Sequence, residues 1–150
     1  MARRRPQPVD DQGLLRGLWE DTSRAEAFTL DAGEPAILLG TDTGPNPAEY
    51  LLHALAACVT TSLVFSAAAR KVRLTMVEST IEGDLDVQGA MGVNTEDFRN
   101  GFTAIRMHIR IAGDAPAEML RTVVARGTDR SVVFDSIANG VPISVDVDTV

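Results

Sequence analysis

Residues 46–70 read NPAEYLLHALAACVTTSLVFSAAAR, and the fold turns on how this stretch is understood. Asn46-Pro47-Ala48-Glu49 is a helix start, with Asn46 as N-cap, Pro47 at the first helical position and Glu49 placed to reach back. The preceding residues, TDTGPNP, are dense in turn formers and mark a break. No glycine or proline interrupts the run after Pro47, and no residue from Leu51 to Ala69 carries a full charge. A helix uncharged all round is either the central helix of a core or a membrane span. The run is built largely from Ala, Thr and Ser, with His53 inside it and only four leucines. Amphipathic strands follow directly, so a buried central helix is predicted and a membrane span is not.

Two stretches downstream alternate with period two. Over Met76–Val87, Val77, Ile81, Leu85 and Val87 are assigned to the inner face, and Glu78, Thr80, Glu82, Asp84 and Asp86 to the outer. Over Phe102–Ile111, Ile105, Met107, Ile109 and Ile111 point inward, and Arg106, His108 and Arg110 outward. An acidic outer face and a basic one complement each other across an antiparallel ladder, which pairs these two strands. DAPAEMLRTVVAR then opens a helix at Asp114 and Pro116, with Met119, Leu120, Val123 and Val124 at helical spacing. A short helix over Ser131–Ala138, with Ser131 as N-cap, closes at Asn139-Gly140. Ile143, Val145 and Val147 define a last strand, 143–147. Upstream, Ala25–Leu30 and Ala36–Leu39 read as short strands. Residues 1–24 form an arm with one apolar patch at Leu14, Leu15, Leu18 and Trp19, and 25–150 form one domain. The order β-β-α-β-β-α-α-β makes an α+β domain, a mostly antiparallel sheet with helices on one face.

Composition narrows the function. Fourteen basic against twenty-one acidic residues give a net charge of −7, and Arg3, Arg4 and Arg5 account for three of the basic ones. The rest is more acidic still, which argues against an electrostatic grip on nucleic acid or anionic lipid. A single cysteine excludes a disulfide framework or a thiolate zinc cage, and two histidines leave little for a metal site. No apolar run follows the basic start, so it does not read as a secretory signal, and a cytoplasmic protein with a reduced thiol is expected.

Cys58 is the nucleophile in a special position. Free cysteine more often packs as a small hydrophobe, and a mid-helix site receives no help from its own helix N-terminus. Glu49 is explained by helix capping alone. His53 lies five residues before Cys58, roughly 140° round the helix, too far to act as its base. His108, between Arg106 and Arg110, reads as part of a solvated strand face.

Gly44-Pro45-Asn46-Pro47-Ala48-Glu49-Tyr50-Leu51-Leu52, followed by Ala54-Leu55-Ala56-Ala57-Cys58, resembles the GxNPxELL…ALxxC signature of the OsmC/Ohr superfamily. IEGDLD, GFTAIRMHIRI and SVVFDSIANGVPISVDV are similar to that family too, so the resemblance runs from about Ala25 to Val147. It implies an intertwined homodimer with the Cys58 helix at its centre. It also implies thiol-dependent reduction of organic hydroperoxides, in which one cysteine attacks, a second resolves the sulfenic acid, and a glutamate and an arginine activate the first thiol. Cys58 matches the attacking cysteine and Glu49 the glutamate. Ser131 stands where the resolving cysteine belongs. The arginine that precedes the NP motif in OsmC-type members falls near Leu38, leaving Arg24 as the residue that would substitute. The expectation is therefore one-cysteine chemistry with no cofactor or metal and an external thiol as reductant. The alternative is a non-enzymatic protein of the same fold that binds a small apolar molecule.

Overall fold

The computed structural model describes residues 29–93 and 96–149, so the arm, Arg24 and most of the strand expected over Ala25–Leu30 lie outside the described residues. The chain divides into two compact units at Pro47/Ala48.

In the first unit, the run Ala36–Leu39 is not a strand. Ala36–Leu38 forms a single 3₁₀ turn after Pro35, and Leu39 closes it in the left-handed region at φ 65°. Leu38 N–H donates to Pro35 O (2.9 Å), Leu39 N–H to Ala36 O (3.0 Å) and Gly40 N–H to Pro35 O (3.1 Å). The amides are thus satisfied locally and take no ladder partner. Gly40 packs so tightly on the Glu34 backbone that a side chain there has no room. Ile37 and Leu39 are exposed.

The second unit is built around helix α1, Pro47–Ala69, which starts where the NP motif places it. Strand β1 (Leu74–Leu85), helix α2 (Val87–Ala90), strand β2 (Phe102–Gly113), helix α3 (Ala117–Asp129) and helix α4 (Val132–Asn139) follow. β1 and β2 form a two-stranded antiparallel sheet. Glu78 pairs with Arg110, Thr80 with His108, Glu82 with Arg106 and Asp84 with Ala104. The outer faces complement one another as expected. Arg106 grips the Asp84 carboxylate through both terminal nitrogens (2.5 and 2.8 Å), and Arg110 bonds Glu78 at 2.6 Å. Arg106 also lies 3.7 Å from Glu82. These pairs are exposed, so they report register more than they hold the fold.

The core is one stripe of α1. Leu55, Val59 and Leu63, four residues apart, are buried, and Val77, Ile81, Ile105, Met107 and Ile109 of the hairpin pack on them. Val124 of α3 and Val133 and Ile137 of α4 complete the cluster. Gly127 lets α3 approach α1 closely. A Cβ there would stand 2.8 Å from the Cα and 2.9 Å from the N of Leu63, so any side chain would force the two helices apart.

Three expectations are corrected. β1 ends at Leu85, because the Asp86 side chain accepts from Gln88 N–H (2.8 Å) and caps α2. Val87 is then helical and, like Leu85, exposed instead of inward. Residues 143–147 form no strand. Ile143, Val145 and Val147 are 83%, 81% and 77% exposed, since a strand needs a neighbouring backbone and none of the described residues supplies one. Finally, α1 is covered along one stripe only, leaving Val64 and Phe65 at 50% and 70% exposure. By length and composition α1 is able to cross a membrane, but its buried stripe sits on the inner face of an amphipathic hairpin.

Candidate functional site: a thiol on a helix N-terminus

Cys58 lies beside the buried stripe of α1 and is half-buried. α4 presents its first turn to the sulfur. The N-terminal amides of a helix have no intrahelical acceptor, and each one at the start of α4 is accounted for. Ser131 N–H donates to Thr128 O (3.1 Å), and Asp135 N–H to Ser131 O (3.0 Å). Phe134 N–H donates to Ser131 Oγ at 3.2 Å, making Ser131 the N-cap that the sequence predicts. The amides left over, Val132 and Val133, are hydrogen-bonded to Cys58.

Two hydroxyls complete the shell, those of Ser131 and Ser62. Ser131 is 1% exposed, and its hydroxyl both receives the Phe134 N–H and donates to the half-buried thiol. Burial pushes the thiol up. The donors outweigh it, in the order Ser131, Val133, Val132 and Ser62, and hold Cys58 below the ordinary thiol range. Hydrogen bonds to the charged form of an acid favour that form, and a helix N-terminus adds its positive end.

The other predicted site residues are placed differently. Glu49 is exposed on the first turn of α1. α1 runs unbroken from Pro47 to Ala69, so Glu49 and Cys58, nine residues apart, sit about 13.5 Å along the axis and half a turn apart. They do not meet within one chain. His53 and His108 are exposed. Among the described residues no group of three or more His, Cys, Asp or Glu is arranged to hold a metal ion.

Sequence reasoning did not reach Ser62, Val132 or Val133. Ser62 was within reach, being one helical turn beyond Cys58 on the same face. The two amides carry no sequence signature, because every non-proline residue has an N–H. Only the packing of α4 on α1 aims them.

A family profile described as OsmC-like protein matches residues 40–146. The chain belongs to the OsmC-like protein family. No curated protein is significantly similar in sequence. Among solved structures, an OsmC-like protein from Mycoplasma pneumoniae is 20% identical with a TM-score of 0.60, over 76% of this chain and 74% of that one. An organic hydroperoxide resistance protein OsmC from Legionella pneumophila is 22% identical with a TM-score of 0.58, over 79% of each chain. A Vibrio cholerae protein assigned to organic hydroperoxide resistance, with captopril bound in one of its active sites, is 19% identical with a TM-score of 0.52. It is matched over 77% of this chain and 72% of that one. This OsmC-like chain therefore shares its α+β fold with proteins of both the OsmC and hydroperoxide-resistance type.

Proposed function

We propose that this OsmC-like protein reduces organic hydroperoxides by one-cysteine chemistry. The observation that carries the reading is the donor shell of Cys58, which favours the thiolate at a site flanked by the α4 N-terminus. The thiolate attacks the distal oxygen of the hydroperoxide. The O–O bond breaks, the sulfur becomes a sulfenic acid, and the alkoxide leaves as an alcohol after taking one proton. Ser131 has no thiol to offer the sulfenic acid, so an external thiol completes the cycle.

Glu49 joins the reaction from a second copy of the chain. Its separation from Cys58 on an unbroken helix supports this, as does the exposed apolar segment 143–147, which a second chain would pair as a strand. The working form is thus a homodimer. It is soluble and cytoplasmic in this reading, and Arg24 remains the residue to supply a cation beside the thiol. Captopril in an active site of the Vibrio cholerae neighbour supports a site that admits a small organic molecule.

The test is the rate at which the Cys58 thiol is consumed by cumene hydroperoxide, with Cys58→Ser as the blank. A rate constant at least tenfold above that of free cysteine at the same pH is expected. A rate no greater than free cysteine's would turn the reading to the alternative, a binder of a small apolar molecule.

A further inference from the structure

The C-terminal turns of α1 and α3 enclose a groove of about 600 Å³ lined by Ser62, Phe65, Ser66, Arg70, Arg126 and Arg130. Ser66 and Arg70 stand about 12 and 18 Å beyond Cys58 along the axis of α1, so the arginines form a site apart from the thiol. Only Ser62 belongs to both. The close approach of the two helices at Gly127 sets α3 against α1 there. Three guanidinium groups on one groove stand out in a chain of net charge −7, and no acidic residue among the described ones lines it. Basic residues suit the end of a helix, where the last carbonyls lack partners. Arg70 fills that role, its Nη1 donating to Ser66 O at 3.0 Å and to the buried Ser66 Oγ at 3.1 Å. Arg126 and Arg130 do not. They form no ion pair or side-chain hydrogen bond among the described residues, and four residues apart they repel each other. Phe65 gives the groove an apolar wall and is 70% exposed.

We propose that this groove binds a small soluble phosphate monoester that carries an apolar ring, with Arg70, Arg126 and Arg130 on the phosphate and Phe65 against the ring. The inference does not rest on the peroxidase reading. Charge selects the phosphate. One guanidinium fork is enough for a carboxylate, whereas three call for a group with roughly two negative charges and three acceptor oxygens. An anion there also relieves the repulsion between Arg126 and Arg130. Volume selects the rest of the molecule. The groove falls within the range of about 300–1,000 Å³ that small organic ligands occupy, and the exposed Phe65 ring offers a stacking face. The net charge of the chain selects against larger sources of the same chemistry. A nucleic acid or a phosphatidate membrane would bring many negative charges up to an acidic protein, while a single phosphate meets only the local cations.

The experiment is titration calorimetry of the full-length protein with phenyl phosphate, and with benzoate as a carboxylate on the same ring. Phenyl phosphate should bind with a dissociation constant below about 1 mM, and at least about tenfold more tightly than benzoate. In R126Q/R130Q its affinity should fall roughly tenfold. It should hold within about twofold in R99Q/R121Q, which loses the same charge outside the groove. Phe65→Ser should weaken it about threefold or more. No binding by the wild type, equal affinity for benzoate, an unchanged affinity in R126Q/R130Q, or an equal fall in both double variants overturns the proposal. So does a change in the sedimentation of R126Q/R130Q with no loss of phenyl phosphate binding, which would give the arginines to a contact between copies. Binding to phosphatidate vesicles by a wild type that ignores phenyl phosphate overturns it as well, and would give the groove to a lipid headgroup.

Discussion

Around Cys58 the chain closes on itself: Ser62 comes from the same helix, and Ser131, Val132 and Val133 come from the start of α4. The C-terminal segment is the opposite case. Val141, Ile143, Val145 and Val147 are all more than half exposed, and their backbone joins no ladder. At the start of α1, Glu49 stands about two and a half helical turns, and on the opposite face, from the thiol it is expected to serve. The contrast separates two kinds of completeness. The groups that tune the thiol are held by local caps and by one hydrophobic stripe, which a single chain supplies. The groups that would make a dimer are written into the sequence just as regularly, but their partner is not a neighbour along the chain.

The largest effect should come from Ser131→Cys, which tests whether the thiol site is complete in one chain. The Ser131 hydroxyl hydrogen-bonds Cys58, and a disulfide needs Cα atoms within roughly 7 Å with the Cβ atoms turned together. Treatment with one equivalent of organic hydroperoxide should give an intramolecular bridge. A loop of this length is stabilised on the order of 4 kcal/mol on loop-entropy grounds, set against about 1 kcal/mol for a lost N-cap. Peptide mapping and a monomer mass on a non-reducing gel would show it. Failure of both thiols to react would mark Cys58 as a packing residue.

The other side of the contrast is broken by I143K/V145K. In the dimer each apolar side chain is expected to bury, worth about 1.5–3 kcal/mol apiece, and two lysines there would be desolvated as well. Dimer affinity should fall on the order of 100-fold or more. Sedimentation at micromolar concentration should show a dimer for the wild type and a monomer for the variant. A wild type that is monomeric at that concentration refutes the shared site and Glu49's place in it.

These two regions also show where the sequence was legible. The antiparallel pairing of the hairpin was legible because an acidic outer face over 76–87 complements a basic one over 102–111, while the register, Glu78 opposite Arg110 and Glu82 opposite Arg106, is set by the packed structure. The start of α1 was legible from Asn46-Pro47, and that of α4 from Ser131, because capping chemistry is local. Alternation in 143–147 has the same form as in β1, but periodicity gives a face and not a partner. Ala36–Leu39 misled for a related reason. Four apolar residues next to Pro35 look like a strand, yet the 3₁₀ turn satisfies their amides without one. Val87 continued the rhythm of β1 and was still lost to α2, because the Asp86 cap outranks one more alternating position. At the thiol, the family resemblance put Ser131 near Cys58, while the Val132 and Val133 amides were beyond any reading of side chains.

The smallest effect, and the one that divides the two roles of Ser131, should come from Ser131→Ala. Loss of the bond from Phe134 N–H removes an N-cap, at about 1 kcal/mol and at every pH. Loss of the hydroxyl donor to Cys58 acts only on the charged thiol, so its share depends on pH. In the folded protein the thiol titrates below its ordinary range, so its contribution to stability is absent below the folded pKa. It grows as pH rises through the gap to the unfolded value near 8.5, and is full above that. Without the hydroxyl the folded pKa moves up and the gap narrows. The variant's deficit in urea unfolding should therefore be larger at about pH 9.5 than at about pH 5.5. The midpoint of its iodoacetamide reactivity against pH should rise by the same shift. A deficit equal at both pH values, with an unmoved alkylation midpoint, would reduce Ser131 to a cap and leave the Val132 and Val133 amides, with Ser62, as what favours the thiolate.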